Sequence, residues 1–446
     1  MAHTDPRVAP DWAADLVIYE LNPRAFTSPE GVGDGSGSGT FASTREKLPY
    51  LADLGINAVW MAGHHLATKH FYGMWSVYAA LDHAQIDPVL GTPDELKALV
   101  ADAHSNGIRV FLDVISHGVL HEAALVDEHP DWFKSSSWGM SDFDYANAEF
   151  REWWIALWVG YALDYGIDGF RVDVTLGDAE IWDEVVTRVR AAGSDVVVFG
   201  ELERYHFAQK DSRGTVHNPI IEFGFQYFQN KRFGLSTHEL SCHDYGWTGL
   251  PGNHFYLKGS RARAAHGALL GPVIPLFLAG EEFDADPVPL PDVTQGLYGT
   301  GGPGGWMYGN RLDWDQLADP AKAAMLADVK TMLGMRRRFP HILNASGRNL
   351  KIAMVPSDGT TGFVPYALAS GSEGLVVLAS EADHEVTARI RVPRDDLGFP
   401  GDAKLIVTDA VTGVALESDH DGTFAVPIGA DRTPGGGYRL LHVAAQ

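Results

Sequence analysis

The sequence predicts an α/β protein, a (β/α)₈ TIM barrel followed by a C-terminal antiparallel β-sandwich domain. Up to about residue 280, short β-rich runs alternate with helical patterns, the signature of a parallel sheet with crossover helices. Helix-start signals fall between those runs. From Asn349 onward the helical period disappears, and alternating strands are separated by turn signals such as SDGTTG, SGSEG and VTGVA. The expected division is a barrel over 1–345, with a short excursion at about 117–147 after the third strand, and a sandwich over 346–446.

The strands follow in order. LVIYELNP opens at Leu16, INAVWMAG at Ile56, RVFLDVIS at Arg109, GFRVDV at Gly169, DVVVFGE at Asp195 and VIPLFLAG at Val273. Weaker runs near Asn218 (NPIIEFGF) and His238 (HELSCHD) complete the eight strands of a barrel. Between them, Ser43 with Glu46 and Thr92 with Glu95 both fit the S/T-x-x-E capping box, and Pro93 suits a first helical position. Helices are predicted over Glu149–Tyr165 and Ala179–Ala192, whereas the span Leu202–Leu240 leaves room only for truncated ones. GTGGPGG, at Gly299–Gly305, lacks the strand-to-helix setting of a phosphate cradle and reads as a loop.

Composition narrows the partners. The chain has 446 residues, 45% of them hydrophobic and 21% charged, which is ordinary for a soluble globular protein. Its 34 Lys and Arg against 58 Asp and Glu leave a net charge of −24, which disfavours nucleic acid and anionic membranes as partners. The sequence shows neither a signal-peptide pattern at its start nor an apolar run of spanning length. Cys242 is the single cysteine, so no intrachain disulfide can form, and a reducing, cytoplasmic setting is expected.

GFRVDV holds the functional signal. A strand has a side-chain period of two, so Arg171 and Asp173 share one face while Phe170 and Val172 share the other. In a barrel, chemistry sits at the C-terminal rim of the strands. Read in order, those ends offer Asp113 and His117, then Arg171 and Asp173, then Glu201, then His243 with Asp244.

With these residues assembled, the chain resembles the α-amylase family of glycoside hydrolases (glycoside hydrolase family 13 type) over essentially its whole length. VIYELNPRAF and EKLPYLADLGINAVW resemble that family's first barrel unit. GTPDELKALVADAHSNGIRVFLDVISHG resembles its second helix and third strand, and GFRVDV, FGE, HD and GPVIPLFLAGEEF follow in family order. The resemblance implies a retaining mechanism on an α-linked oligosaccharide: Asp173 as nucleophile, Glu201 as general acid and base, and Asp244 as the carboxylate stabilising the distorted cationic sugar. It also implies that His117 and His243 donate to sugar hydroxyls and that the Tyr78 ring stacks under the sugar. Physical chemistry requires the same two-carboxylate arrangement, one group ionised and one protonated. Arg171 is expected to favour the ionised form of Asp173, and Asp173 with Asp244 to keep Glu201 protonated.

The sequence also departs from the family. Ser116 stands where an Asn often ligates calcium, so no cofactor is implied as required and structural calcium is left open. Leu176 and Gly177 replace a Lys-His pair that holds the chain beyond the cleavage point, and Cys242 replaces the Asn before His243. Hydrolysis and transglycosylation share every step up to the covalent intermediate, so both are compatible with these residues.

Taken singly, each residue has an ordinary explanation. Arg171 and Asp173 could be a structural ion pair, Glu201 a solvated strand end, His117 and His243 core histidines, and most of the twelve tryptophans packing. His64 and His65 read as loop residues. Two rivals remain: a metal-dependent barrel hydrolase using His64, His65, His70 and the rim acids, and a non-catalytic carbohydrate-binding homologue. Against the first, no HxH or HExxH spacing occurs and Arg171 would oppose a cation. Against the second, all three carboxylates are present.

Overall fold

The computed structural model describes residues 5–28, 39–69, 73–209, 235, 237–244, 256–286, 288–289, 307–344, 350–359 and 363–446. Within them, eight strands form one parallel sheet. These are β1 (Ile18–Leu21), β2 (Ala58–Met61), β3 (Arg109–Val114), β4 (Gly169–Val172), β5 (Val197–Gly200), β6 (Phe207–Ala208), β7 (Thr237–Glu239) and β8 (Ile274–Leu278). Strands adjacent in sequence are adjacent in space, from β6 back to β1 and then to β8 and β7. The two ends meet where the Thr237 hydroxyl lies 2.8 Å and 2.6 Å from the carbonyls of Ala208 and Gln209, so the sheet curls into a barrel.

The period-two pattern divides each strand between two environments. Outward residues such as Val59, Leu112, Phe170 and Val198 join the large core under the helices. Inward residues Ile18, Ala58, Trp60, Phe111, Val197, Phe199, Phe207 and Leu276 fill the lower barrel. Above that apolar plug the same inward faces carry Glu20, Asp113 and Arg171, all fully buried. A charged layer therefore rests on an aromatic floor, with the Arg171 guanidinium 4.9 Å from the Trp60 ring centre.

The expected helices form around this sheet: α1 (Leu48–Leu54), α2 (Pro93–Ser105), α3 (Ala148–Asp164) and α4 (Ala179–Ala191). Thr92 and Glu95 make the predicted capping box, with Pro93 at the start of α2. The earlier box is displaced. Thr40, not Ser43, caps the helix Phe41–Arg45, and Ser43 takes the reciprocal position that Glu46 was expected to hold. Serine supplies the same acceptor three residues on, which a search restricted to Glu or Gln overlooks.

Two further departures bear on the site. The run at NPIIEFGF lies outside the described residues, and the sixth place in the sheet is held by Phe207–Ala208, a strand too short to show periodicity. After β2 the chain makes an antiparallel ribbon, His65–Lys69 with Trp75–Ile86, which delivers Tyr78 to the barrel mouth. His65, expected in a loop, consequently opens a strand, and His64 stays in the connection before it but is buried. Both are fully covered, with His83, Trp158 and Tyr161 around them.

The excursion after β3 is a three-stranded sheet of Gly118–Leu120, Phe133–Ser137 and Met140–Phe143, the last in the middle. Beyond helices α5 (Arg261–Leu269) and α6 (Pro320–Arg338), the C-terminal residues form a six-stranded and a three-stranded antiparallel sheet. Their shared core includes Ala367, Val376, Leu378, Val426, Ile428 and Leu441. Buried Arg336 of α6 ties that helix to the end of α5 and the segment after it by donating to the carbonyls of Ala268, Leu270, Val273 and Leu343.

Candidate active site

Arg171 organises the mouth of the barrel. Its register on β4 sets it opposite Asp113 on β3 and Phe199 on β5. Nη1 donates to Asp173 Oδ1 at 2.6 Å and to Asp113 Oδ1 at 3.0 Å, while Nη2 stands 3.1 Å from Glu201 Oε2. Nε donates to Gln209 Oε1 at 2.9 Å, and the Gln209 amide donates on to Glu239 at 3.1 Å. One guanidinium thus holds carboxylates from three adjacent strand ends, a use of its planar fork that lysine could not reproduce.

The backbone after Asp173 is strained. Val174 has φ +57°, uncommon for any residue with a Cβ and more so for a β-branched one. Thr175 N–H donates back to the Asp173 carbonyl at 2.6 Å, closing a three-residue turn. This conformation aims the Val174 N–H at Glu201 Oε2, 3.1 Å away, and strain of about 1–3 kcal/mol is characteristic of functional sites. Ser116 braces the turn, its hydroxyl lying 2.5 Å from the Thr175 carbonyl and 3.1 Å from that of Asp173. With its hydroxyl so engaged, Ser116 does not fit the calcium-ligand role. Among the described residues, no group of three His, Cys, Asp or Glu side chains stands together to hold a metal ion. Gly177 has φ +71°, and a Cβ there would meet the Tyr145 ring at 2.5 Å, so this corner excludes the Lys-His pair by shape.

The opposite wall centres on His243, four residues beyond the end of β7. Its Nδ1 lies 2.5 Å from Glu20 Oε1, its Nε2 is 2.8 Å from the Tyr78 hydroxyl, and Asp244 Oδ1 is 3.4 Å from that same Nε2. The Tyr78 ring stacks on His243 with centroids 5.4 Å apart, and its hydroxyl donates to Asp113 at 3.2 Å. On the other side, His117 Nδ1 is 3.7 Å from Asp173 Oδ2.

Burial and charge set the protonation states. Burial pushes Asp113 up to about 6 and raises Asp173, with Arg171 pulling both the other way. The sign of the Arg171 influence is as expected, but desolvation outweighs it. Burial alone would depress His243; the Glu20 and Asp244 charges outweigh it and raise the imidazole to about 9. His117 is lowered by burial, with Asp173 opposing. Near neutral pH the mouth therefore holds two fixed cations, Arg171 and His243, among several acids.

All seven residues singled out from the sequence fall in one contact network: Tyr78, His117, Arg171, Asp173, Glu201, His243 and Asp244. Sequence reasoning passed over Glu20 and Gln209 and gave Asp113 a role only in the metal-dependent rival. Glu20 carried a signal nonetheless, because in IYEL it shares the inward face with Ile18, as Arg171 shares one with Asp173.

Comparison with known proteins places this geometry. A family model described as the catalytic domain of alpha amylase matches residues 21–137. A cyclomaltodextrinase of Geobacillus thermopakistaniensis is 24% identical over 87% of this chain and 72% of its own length. An intracellular maltogenic amylase of Bacillus subtilis is 25% identical over 53% of this chain, which spans 47% of that protein. An α-amylase structure from Geobacillus thermoleovorans, complexed with acarbose, superposes with a TM-score of 0.73 at 18% identity, covering 96% of this chain and 98% of the other. The chain is thus similar to α-amylase-family proteins, over residues 21–137 by the family model and over most of its length by a relative of about a quarter identity. The network around Arg171 lies at the C-terminal ends of the barrel strands.

Proposed function

We propose that the protein is a retaining α-glycoside hydrolase acting on α-glucosidic linkages of oligo- or polysaccharides through a covalent glycosyl-aspartate. The observation that carries this reading is the single guanidinium shared by Asp173 and Glu201 from adjacent strand ends. Two carboxyls held that closely can flank one glycosidic bond, as the retaining mechanism requires.

In this reading an Asp173 carboxylate oxygen attacks the anomeric carbon as the bond to the leaving oxygen breaks, and Glu201 transfers its proton to that oxygen. Water then attacks the same carbon, giving its proton to Glu201 and releasing Asp173. Asp244 stabilises the positive sugar in both steps. Arg171 orients Asp173 and Glu201, and His117, His243 and Tyr78 contact the sugar. A sugar hydroxyl in place of water would make the enzyme a transglycosylase through the same intermediate. A cytoplasmic setting belongs to the same reading, in line with the relative named intracellular maltogenic amylase.

Asp173→Asn and Glu201→Gln should each lower turnover by roughly a thousandfold or more with an unchanged melting temperature. Product chromatography over a panel of α-linked di- and oligosaccharides reads linkage and separates transfer from hydrolysis. Near-native turnover in either purified variant would remove the assignment.

A further inference from the structure

Trp138 sits at the tip of the hairpin Phe133–Ser137/Met140–Phe143, where Ser137 pairs with Met140 across two turn residues. Both central residues have positive φ, +49° at Trp138 and +79° at Gly139. Turns of this kind favour Asn-Gly or Asp-Gly, because a left-handed φ costs a bulky residue about 1–2 kcal/mol. The ring does not recover that cost by burial. At 62% exposure, Trp138 is the only aromatic among the large hydrophobic residues left exposed in the described structure. A local rule broken without packing in return marks a position kept for something outside the fold.

Its location says for what. The Trp138 ring meets His117 edge-on with centroids 5.3 Å apart, and His117 in turn lies 3.7 Å from Asp173. The hairpin is also pinned by side-chain contacts. His117 Nε2 is 3.0 Å from Met140 Sδ, and Asp142 accepts from Ser135 at 2.8 Å and from Ser137 at 2.5 Å. An exposed indole held in place beside hydroxyls and one carboxylate suits a sugar ring, whose faces are apolar and whose rim is polar.

We propose that Trp138 is the stacking platform for a second glucosyl unit of an α-glucan, one position removed from the unit at Asp173, on the His117 side. This deepens the glycosidase reading and rests on it for the identity of the sugar. Chains of several units then gain affinity from this ring, and one-unit substrates do not.

The test uses Trp138→Asn, which removes the ring while tolerating the left-handed backbone, and Trp138→Phe, which keeps an aromatic face. With maltohexaose, Trp138→Asn should raise KM about tenfold at unchanged kcat, and Trp138→Phe should restore most of the loss. α-Glucosyl fluoride, which places only a fluorine beyond the unit at Asp173, should be cleaved equally by all three proteins. The melting temperature of Trp138→Asn should equal or exceed that of the wild type, whereas a ring needed for packing would lower it. Equal maltohexaose kinetics in the Asn variant, equal losses on both substrates, or a drop in melting temperature would each overturn the proposal. Calorimetric binding of maltohexaose to Asp173→Asn, with and without Trp138→Asn, reads the platform without turnover. Weakened binding in the double variant supports the platform even if the wild type cleaves no α-glucan, and unchanged binding overturns it.

Discussion

Replacing Glu20 with Gln removes one negative charge from the floor of the site while keeping side-chain shape and an oxygen to accept from His243 Nδ1. In the wild type His243 titrates at about 9, and both partners are nearly inaccessible, with side-chain exposures of 4% and 0%, so solvent screening takes little away. A folded value above the unfolded value of about 6.5 means the imidazolium stabilises the fold fully below that pH, and the stabilisation is lost as pH rises through 9. If the pair with Glu20 accounts for the whole rise, Glu20→Gln removes about 3 kcal/mol at pH 6 and almost nothing at pH 10. Asp244 still faces the ring and Arg171 opposes it, so about 2–3 kcal/mol is the working range. Denaturant unfolding of both proteins at half-unit steps from pH 6 to 10 measures the difference. Curves that converge at high pH are expected, together with an alkaline limb of kcat/KM that moves toward neutral pH in the variant. Parallel stability curves would show that His243 does not owe its charge to Glu20.

His65, buried and neutral, is lowered to about 4 by desolvation, so its neutral form favours the fold above pH 6.5 and that support fades as pH falls toward 4. His65→Gln, which can still donate to the Val77 carbonyl, should lose about 2 kcal/mol less stability than the wild type between pH 7 and pH 5 in denaturant titrations. An equal loss would place the acid sensitivity elsewhere. Arg336→Met strips the donors from four buried carbonyls around α5 and α6 and should cost about 3–5 kcal/mol, read as a lower midpoint in calorimetry. A midpoint within a degree of the wild type would show that water replaces those donors.

Much of the fold was legible because its signals are local. Six of the eight barrel strands announced themselves as β-branched or aromatic runs, a weaker run marked the seventh at His238, and Thr92 and Glu95 announced α2 by chemistry that four residues suffice to express. What stayed hidden was set by tertiary context. Phe207–Ala208 is a strand only because β5 pairs with it, and the ribbon carrying Tyr78 has shifted register at three steps, so its periodicity is broken. His64 and His65 read as loop residues because two adjacent polar residues beside a glycine do look like one. They are buried because His83 of the pairing strand and Trp158 and Tyr161 of α3 close over them.

The site divides along the same line. Arg171 and Asp173 were found because a charged pair two apart breaks an apolar run, and that anomaly survives in one strand alone. Glu20 presents the same anomaly in β1, yet its meaning depends on His243, which is 223 residues away and contacts it only after the barrel closes. The structure adds the sign of a balance that sequence cannot supply. Burial raises Asp173 against the pull of Arg171, because the same guanidinium is divided among Asp113, Asp173 and Glu201. A cation shared among three acids orients them all and fully neutralises none, which in the proposed mechanism lets one carboxyl hold a proton while its neighbour attacks.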